Sequence, residues 1–225
     1  MKMKRVACMC LAIIMVFGLS WGVSGESSED VYELYADGLN KLGLFQGSEK
    51  GYELDKGLTR AEGATIVLRL VDDEKAIDKK PLKKHPFKDV PKWADKNIGY
   101  LYSVGKVQGI SKDKFGSQNN MSAKDFTTFM LRVLRYDDVI GDFNWETCLE
   151  KAVEIGLYDN NYKHELESRE FLRKDAVYII GKTLKTSLKG SPSPLINCIS
   201  HIDKDVLKYA TIFYGESTVN KGDAG

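Results

Sequence analysis

The sequence predicts an all-α protein built from three helix–loop–helix repeats. Three observations predict it. A five-residue segment headed by glycine recurs as Gly43-Leu44-Phe45-Gln46-Gly47, Gly105-Lys106-Val107-Gln108-Gly109 and Gly156-Leu157-Tyr158-Asp159-Asn160. An acid follows each glycine at near-constant distance, 19, 20 and 19 residues on, at Glu62, Asp125 and Asp175. Apolar residues stand seven, four and one positions before each glycine, a spacing that draws one stripe along a helix. Self-similarity at a fixed period is the mark of repeats that bury their apolar faces against one another.

Lys2, Lys4 and Arg5 precede the apolar run Val6 to Phe17, and Gly18, Ser20, Gly22, Ser24 and Gly25 follow it. This is the pattern of a secretory signal peptide, residues 1–25, with the cut placed after Gly25. The rival reading is an uncleaved anchor, because Val6 to Val23 is just long enough to span a bilayer. Cleavage leaves 30 basic against 32 acidic residues, a net charge of −2. A sequence-blind nucleic-acid binder needs a basic excess, so that class is excluded. No second apolar run long enough to span a membrane follows.

The first repeat, 26–72, places Ala36, Leu39 and Leu42 on its first helix, which Gly43 ends in a left-handed residue. Its second helix starts at Thr59, with Glu62 reaching back to complete a capping box. The stripe Ile66, Val67 and Leu70 follows. Residues 73–85, charged and broken by Pro81, read as an exposed linker. The second repeat, 86–137, has Ile98, Leu101 and Val104, then Gly105, then a Ser122 and Asp125 start, then Phe129, Met130 and Val133. The third, 138–189, has Leu149, Ala152 and Ile155, then Gly156, then Ile179, Ile180 and Leu184. Leu172 holds its cap position, so that helix start is satisfied in another way. The closing residues Gly47, Gly109 and Asn160 are expected at positive φ, with asparagine standing in for glycine. Residues 190–225, opening on a Gly-Ser-Pro break, are a tail with one short helix around Asp203 to Ala210.

Cys148 and Cys198 remain after cleavage, open to a disulfide or to burial as two small apolar groups. His85, His164 and His201 are scattered, and no metal site or cofactor is expected.

Phe87-Lys88-Asp89-Val90-Pro91-Lys92-Trp93-Ala94 resembles the F-x-D-V-x-x-W-A opening of the S-layer homology family. Leu58-Thr59-Arg60-Ala61-Glu62 resembles that family's I-T-R-A-E signature, and Phe171-Leu172-Arg173-Lys174-Asp175 is a weaker version. The resemblance covers residues 30–190. It implies a pseudo-three-fold trefoil of helical repeats with ligand grooves between neighbours. It also implies a partner, a secondary cell-wall polysaccharide attached to peptidoglycan and carrying an acidic pyruvate ketal on an amino sugar. The second repeat departs from the pattern, with Ala123 where the arginine belongs and Lys124 beside it. The first lacks the opening motif and has Tyr32 near the tryptophan position. One or two working grooves are therefore expected, not three.

The candidate polysaccharide-binding residues are Arg60, Arg173, Trp93, Trp145, Asp89, Gly47, Gly109 and Lys124. A planar guanidinium holds a carboxylate through two parallel hydrogen bonds. Arg60 and Arg173 stand in the first turn of a helix, where backbone N–H groups and the helix dipole add to the attraction. Trp93 and Trp145 offer an apolar face to a sugar ring. The bland alternatives are an Arg60–Glu62 surface pair, tryptophans that close a core, and Asp89 as a helix cap. The expectation is an exported, non-catalytic protein held on the cell wall. The alternatives are a surface-layer assembly protein, with Ile212, Phe213 and Tyr214 of the tail as its contact, or a small glycan hydrolase using Glu62 or Asp125.

Overall fold

The computed structural model describes residues 28–72, 77, 84–203 and 205–213. The expected signal peptide, most of the linker and Tyr214 lie outside them. The architecture is helical: α1 (Ser28–Lys41), α2 (Arg60–Val71), α3 (Asp95–Ser103), α4 (Ala123–Val133), α5 (Cys148–Glu154), α6 (Asn160–Ser168) and α7 (Arg173–Lys185). Among the described residues no strand forms, only isolated backbone bridges. No described helix is long and apolar enough to cross a membrane.

The three glycines act as expected. Gly43, Gly105 and Gly156 have φ of 73°, 71° and 72°. The next residue in each case donates its N–H five residues back, Leu44 to Leu39, Lys106 to Leu101 and Leu157 to Ala152 at 2.8–2.9 Å. This is the closing bond that a left-handed residue permits at a helix end. The apolar stripes are buried, apart from the two residues at helix ends: Val104 is exposed and Ile155 half-buried.

The packing is interleaved. α3 lies on α2, α5 on α4, and α1 on α7, so each first helix rests on the second helix of a different segment. α4 packs against both α2 and α7. Backbone bonds tie the helix starts together: Met121 N–H donates to Leu58 O (2.7 Å), Arg60 N–H to Asn119 O (2.9 Å) and Ala61 N–H to Ser117 O (3.1 Å). At α7, Arg173 N–H donates to Lys56 O (2.8 Å) and Lys174 N–H to Leu54 O (2.9 Å).

Three expectations need correction. Gly47 and Gly109 are not at positive φ. They are glycines because the chain passes too close: a Cβ on Gly47 would stand 2.7 Å from Gly51 O, and one on Gly109 2.3 Å from the Phe87 ring and 2.5 Å from Lys114 O. Asn160 is not a turn residue but the first residue of α6, which Asp159 caps by accepting from Tyr162 N–H at 2.8 Å. The short helix expected around Asp203 to Ala210 is a 3₁₀ turn at Leu207–Phe213, and the tail is packed through its described part. Leu195, Ile196, Ile199 and Ile202 are buried, and two 3₁₀ turns, Leu195–Cys198 and Leu207–Phe213, pack on α7 and on α1 and α7. Ile77 of the linker is also buried. Cys148 is buried and Cys198 exposed, and both are free thiols. Burial pushes the Cys148 thiol up to about 11.

Candidate functional site

The strongest site is a groove of about 330 Å³ where three distant parts of the chain meet: the Phe45–Ser48 turn, Trp93 before α3, and Arg173 at the start of α7. It brings together Arg173, Trp93 and Gly47 of the expected set. Trp93 is 57% exposed, so it does not close a core. Arg173 Nε donates to Tyr52 O at 2.8 Å and Nη2 to Gln46 O at 3.0 Å. Its guanidinium carbon sits 4.8 Å from the Phe45 ring centroid. Among the described residues no carboxylate lies within ion-pair distance of Arg173, so carbonyls and a ring orient its charge without cancelling it.

The acids of this groove are otherwise engaged. Glu62 Oε2 accepts from the Thr59 backbone N–H and hydroxyl, both at 2.8 Å, which is the expected capping box. Glu53 pairs with Lys56 and accepts from the Ser48 hydroxyl at 2.9 Å. Arg69 and Gln46 also line the groove, and Arg69 Nη2 donates to Gln46 Oε1 at 3.2 Å. The sequence reading missed both. Arg69 lies seven residues after Glu62, two turns along α2, and that spacing was the available signal.

Arg60 has the opposite fate. It is 6% exposed, with Nη1 3.0 Å from Asp125 Oδ1 and Nη2 donating to Gln108 O at 3.1 Å. Its guanidinium lies 4.9 Å from the Phe129 ring and 5.2 Å from that of Phe115. Burial pulls its pKa down against the opposing pull of Asp125. The partner is Asp125 of the next segment, not Glu62. Nor are the first N–H groups of α2 and α7 free for an anion, because loop carbonyls accept from them, as described above.

Asp89 neither caps α3 nor lines the groove. Its Oδ1 accepts from Phe115 N–H (2.7 Å) and its Oδ2 from Gly116 N–H (2.7 Å) and Ser117 N–H (3.3 Å). Burial works against its charge, yet the backbone bonds prevail and hold it below the usual aspartate value. Asp89 thereby fixes the loop whose Ser117 and Asn119 carbonyls receive the start of α2.

Trp145 is 46% exposed, and its indole N–H donates to Asp125 Oδ1 at 3.1 Å. Lys124 pairs with Glu146 at 2.9 Å and stands 4.7 Å from the Trp145 ring centroid. These two residues line a separate cavity at the start of α4. Gly109 lines a third hollow with Phe87 and Tyr102. Asp175 is fully buried: the Tyr162 hydroxyl donates to it at 2.9 Å, Arg169 holds both its oxygens at 2.7 Å, and Tyr162 and Tyr178 pack at 4.5 Å.

No protein-family model matches the sequence. Over 108 residues the chain is 31% identical to a protein named "Cell surface protein" from Thermoanaerobacter kivui. The matched stretch covers 47% of this chain and spans only 14% of that relative's length.

Proposed function

We propose that this protein is an S-layer homology-type module that holds an exported chain on the cell wall by binding an acidic secondary wall polysaccharide. The carrying observation is the meeting, in one open groove, of an exposed Trp93 and an Arg173 that has no carboxylate partner among the described residues. In this reading the three segments form a pseudo-three-fold trefoil, with α1 on α7 closing the ring. The name of the relative, a cell-surface protein, supports a surface location.

The groove suits an acidic sugar for a physical reason. Arg173 is already oriented by Gln46 O and Tyr52 O, so little side-chain entropy is lost when an anion arrives. A charged hydrogen bond to it contributes roughly 1.5–3 kcal/mol. Trp93 supplies the apolar face against which a ring lies. No bond is made or broken, and the reading assigns the protein no catalytic step. A surface-assembly role is a second reading, favoured by the adjacent Val139 and Ile140, 77% and 73% exposed on the loop between α4 and α5.

Sedimentation with purified walls tests the proposal. The protein is expected to pellet with intact walls and to stay in solution with walls stripped of secondary polysaccharide. Equal pelleting with both would overturn it.

A further inference from the structure

Each second helix ends on an equivalent carbonyl that accepts from a side chain. Arg69, Arg132 and Lys182 stand seven residues after Glu62, Asp125 and Asp175, in the last turns of α2, α4 and α7. The last four carbonyls of a helix find no partner within it, so a side-chain donor there stabilises the end. Arg132 O accepts from Lys106 Nζ at 2.6 Å and Lys182 O from Thr186 Oγ1 at 2.9 Å. Both donors belong to the repeat they close. Arg69 O accepts from His201 Nε2 at 2.8 Å, and His201 lies in the tail. Leu44, at the position of Lys106, has a side chain with no donor to offer.

The tail reaches that carbonyl as a strap. It leaves α7 by a tight turn, with Leu188 N–H donating to Ser193 O at 3.2 Å and Leu195 N–H to Thr186 O at 3.0 Å. Its second 3₁₀ turn lies on α1, where Lys41 Nζ stands 5.1 Å from the Tyr209 ring centroid. Between the two 3₁₀ turns, His201, Ile202 and Val206 line a hollow of about 400 Å³ together with Leu42, Gly43 and Leu44. Gln46 and Arg69 line both this hollow and the anion groove. One wall, carrying the bond from Arg69 to Gln46, therefore separates the tail from the groove. The same Gln46 orients Arg173 through its carbonyl.

We infer that the tail is a regulatory strap: docked through His201, it holds the wall of the anion groove in its binding shape, and undocked, it lets that wall relax. The effect on binding rests on the function proposed above. Of the three equivalent carbonyls, the one in the first repeat takes its donor from outside the repeats, so the groove built on that repeat answers to the tail. A groove competent only while the tail is docked binds more weakly in proportion to the time the tail is away. Short 3₁₀ turns open at lower cost than the helices they cover.

The test is amide hydrogen exchange in wild type, His201→Ala and His201→Gln, with wall sedimentation of each. Glutamine keeps an N–H at a reach similar to that of the imidazole Nε2. His201→Ala should speed exchange about fivefold, the size of one lost hydrogen bond, at Asp72 on the end of α2 and at Leu44. Leu134 on the end of α4 and Lys106 in the second repeat should keep their wild-type rates. His201→Ala should also weaken wall binding several-fold, and His201→Gln should stay near wild type in every readout. Unchanged exchange at Asp72 and Leu44 in the folded His201→Ala protein overturns the strap. Equal acceleration at Leu134 and Lys106 overturns it too, because that is a general loss of stability. Faster exchange at Asp72 and Leu44 with undiminished wall affinity overturns the control of the groove. Failure of wild type to sediment with walls overturns the proposed function instead, and the exchange comparison still decides whether the strap holds the wall.

Discussion

Arg60 and Arg173 occupy the same place in two copies of one sequence signature, yet only one faces solvent beside a groove. Each reaches into the turn of another segment and donates to the carbonyl of a glutamine, Gln108 for Arg60 and Gln46 for Arg173. The difference lies in the acid three residues into the facing helix. Glu62 is long enough to fold back on Thr59 and spends its charge on its own cap. Asp125 gives one oxygen to the Ser122 hydroxyl and turns the other to Arg60 and Trp145. One methylene decides whether the arginine opposite is neutralised. Arg132, seven residues after Asp125, is likewise held by both oxygens of an acid, Asp138.

The largest expected effect breaks the buried member of the pair. Arg60→Ala leaves Asp125 with only its Ser122 and Trp145 hydrogen bonds and should cost about 3 kcal/mol of stability, the low end for removing one half of a buried ion pair. Thermal unfolding measures it, and a fully stable variant would show that Arg60 does no structural work. Next come the two glycines. Gly109→Ala meets a ring and two carbonyls and should destabilise by roughly 1–3 kcal/mol, with Gly47→Ala, which meets one carbonyl and a tyrosine edge, at the lower end. Urea unfolding of the two variants ranks them.

A smaller effect is pH-dependent. The folded pKa of Asp89 lies below its ordinary value, so its contribution is present above the unfolded pKa and fades as pH falls through the folded one. Asp89→Asn should therefore cost about 1 kcal/mol at pH 7, discounted for water screening, and converge on wild type in acid. A constant difference across pH would contradict the clamp. Truncation at Gly190 sharpens the comparison from the other side. His201 Nε2 lies 2.8 Å from Arg69 O, and Ile202 and Val206 back the wall that carries Arg69 and Gln46. Removing the tail should weaken groove binding several-fold through lost rigidity, as a binding isotherm on wall polymer would read.

Much of the fold was legible because its signals are local. A glycine four residues past a buried apolar residue, the Thr59 and Glu62 box, and stripes at helical spacing all declare themselves along the chain. α6 was missed because parity with the other segments suggested a loop, although Asp159 as a cap and Tyr162 and Leu166 four apart were there to be read. The site was half legible. Trp93, Gly47 and Arg173 could each be picked out from the chain, but not that they line one groove, and burial of Arg60 depends on Phe115, Phe129 and Asp125, all more than 50 residues away in sequence. Asp89 was misassigned for the same reason: its partners, Phe115 to Ser117, are some 26 to 28 residues on.

The most direct measurement is calorimetric titration of a pyruvylated amino-sugar fragment of wall polysaccharide into wild type, Arg173→Ala and Asp125→Asn proteins, each checked for folding. The account predicts one binding event in wild type, its loss by about 10–100-fold in Arg173→Ala, and no second event in Asp125→Asn, because Arg60 stays buried beneath two rings. Undiminished affinity in folded Arg173→Ala would contradict it.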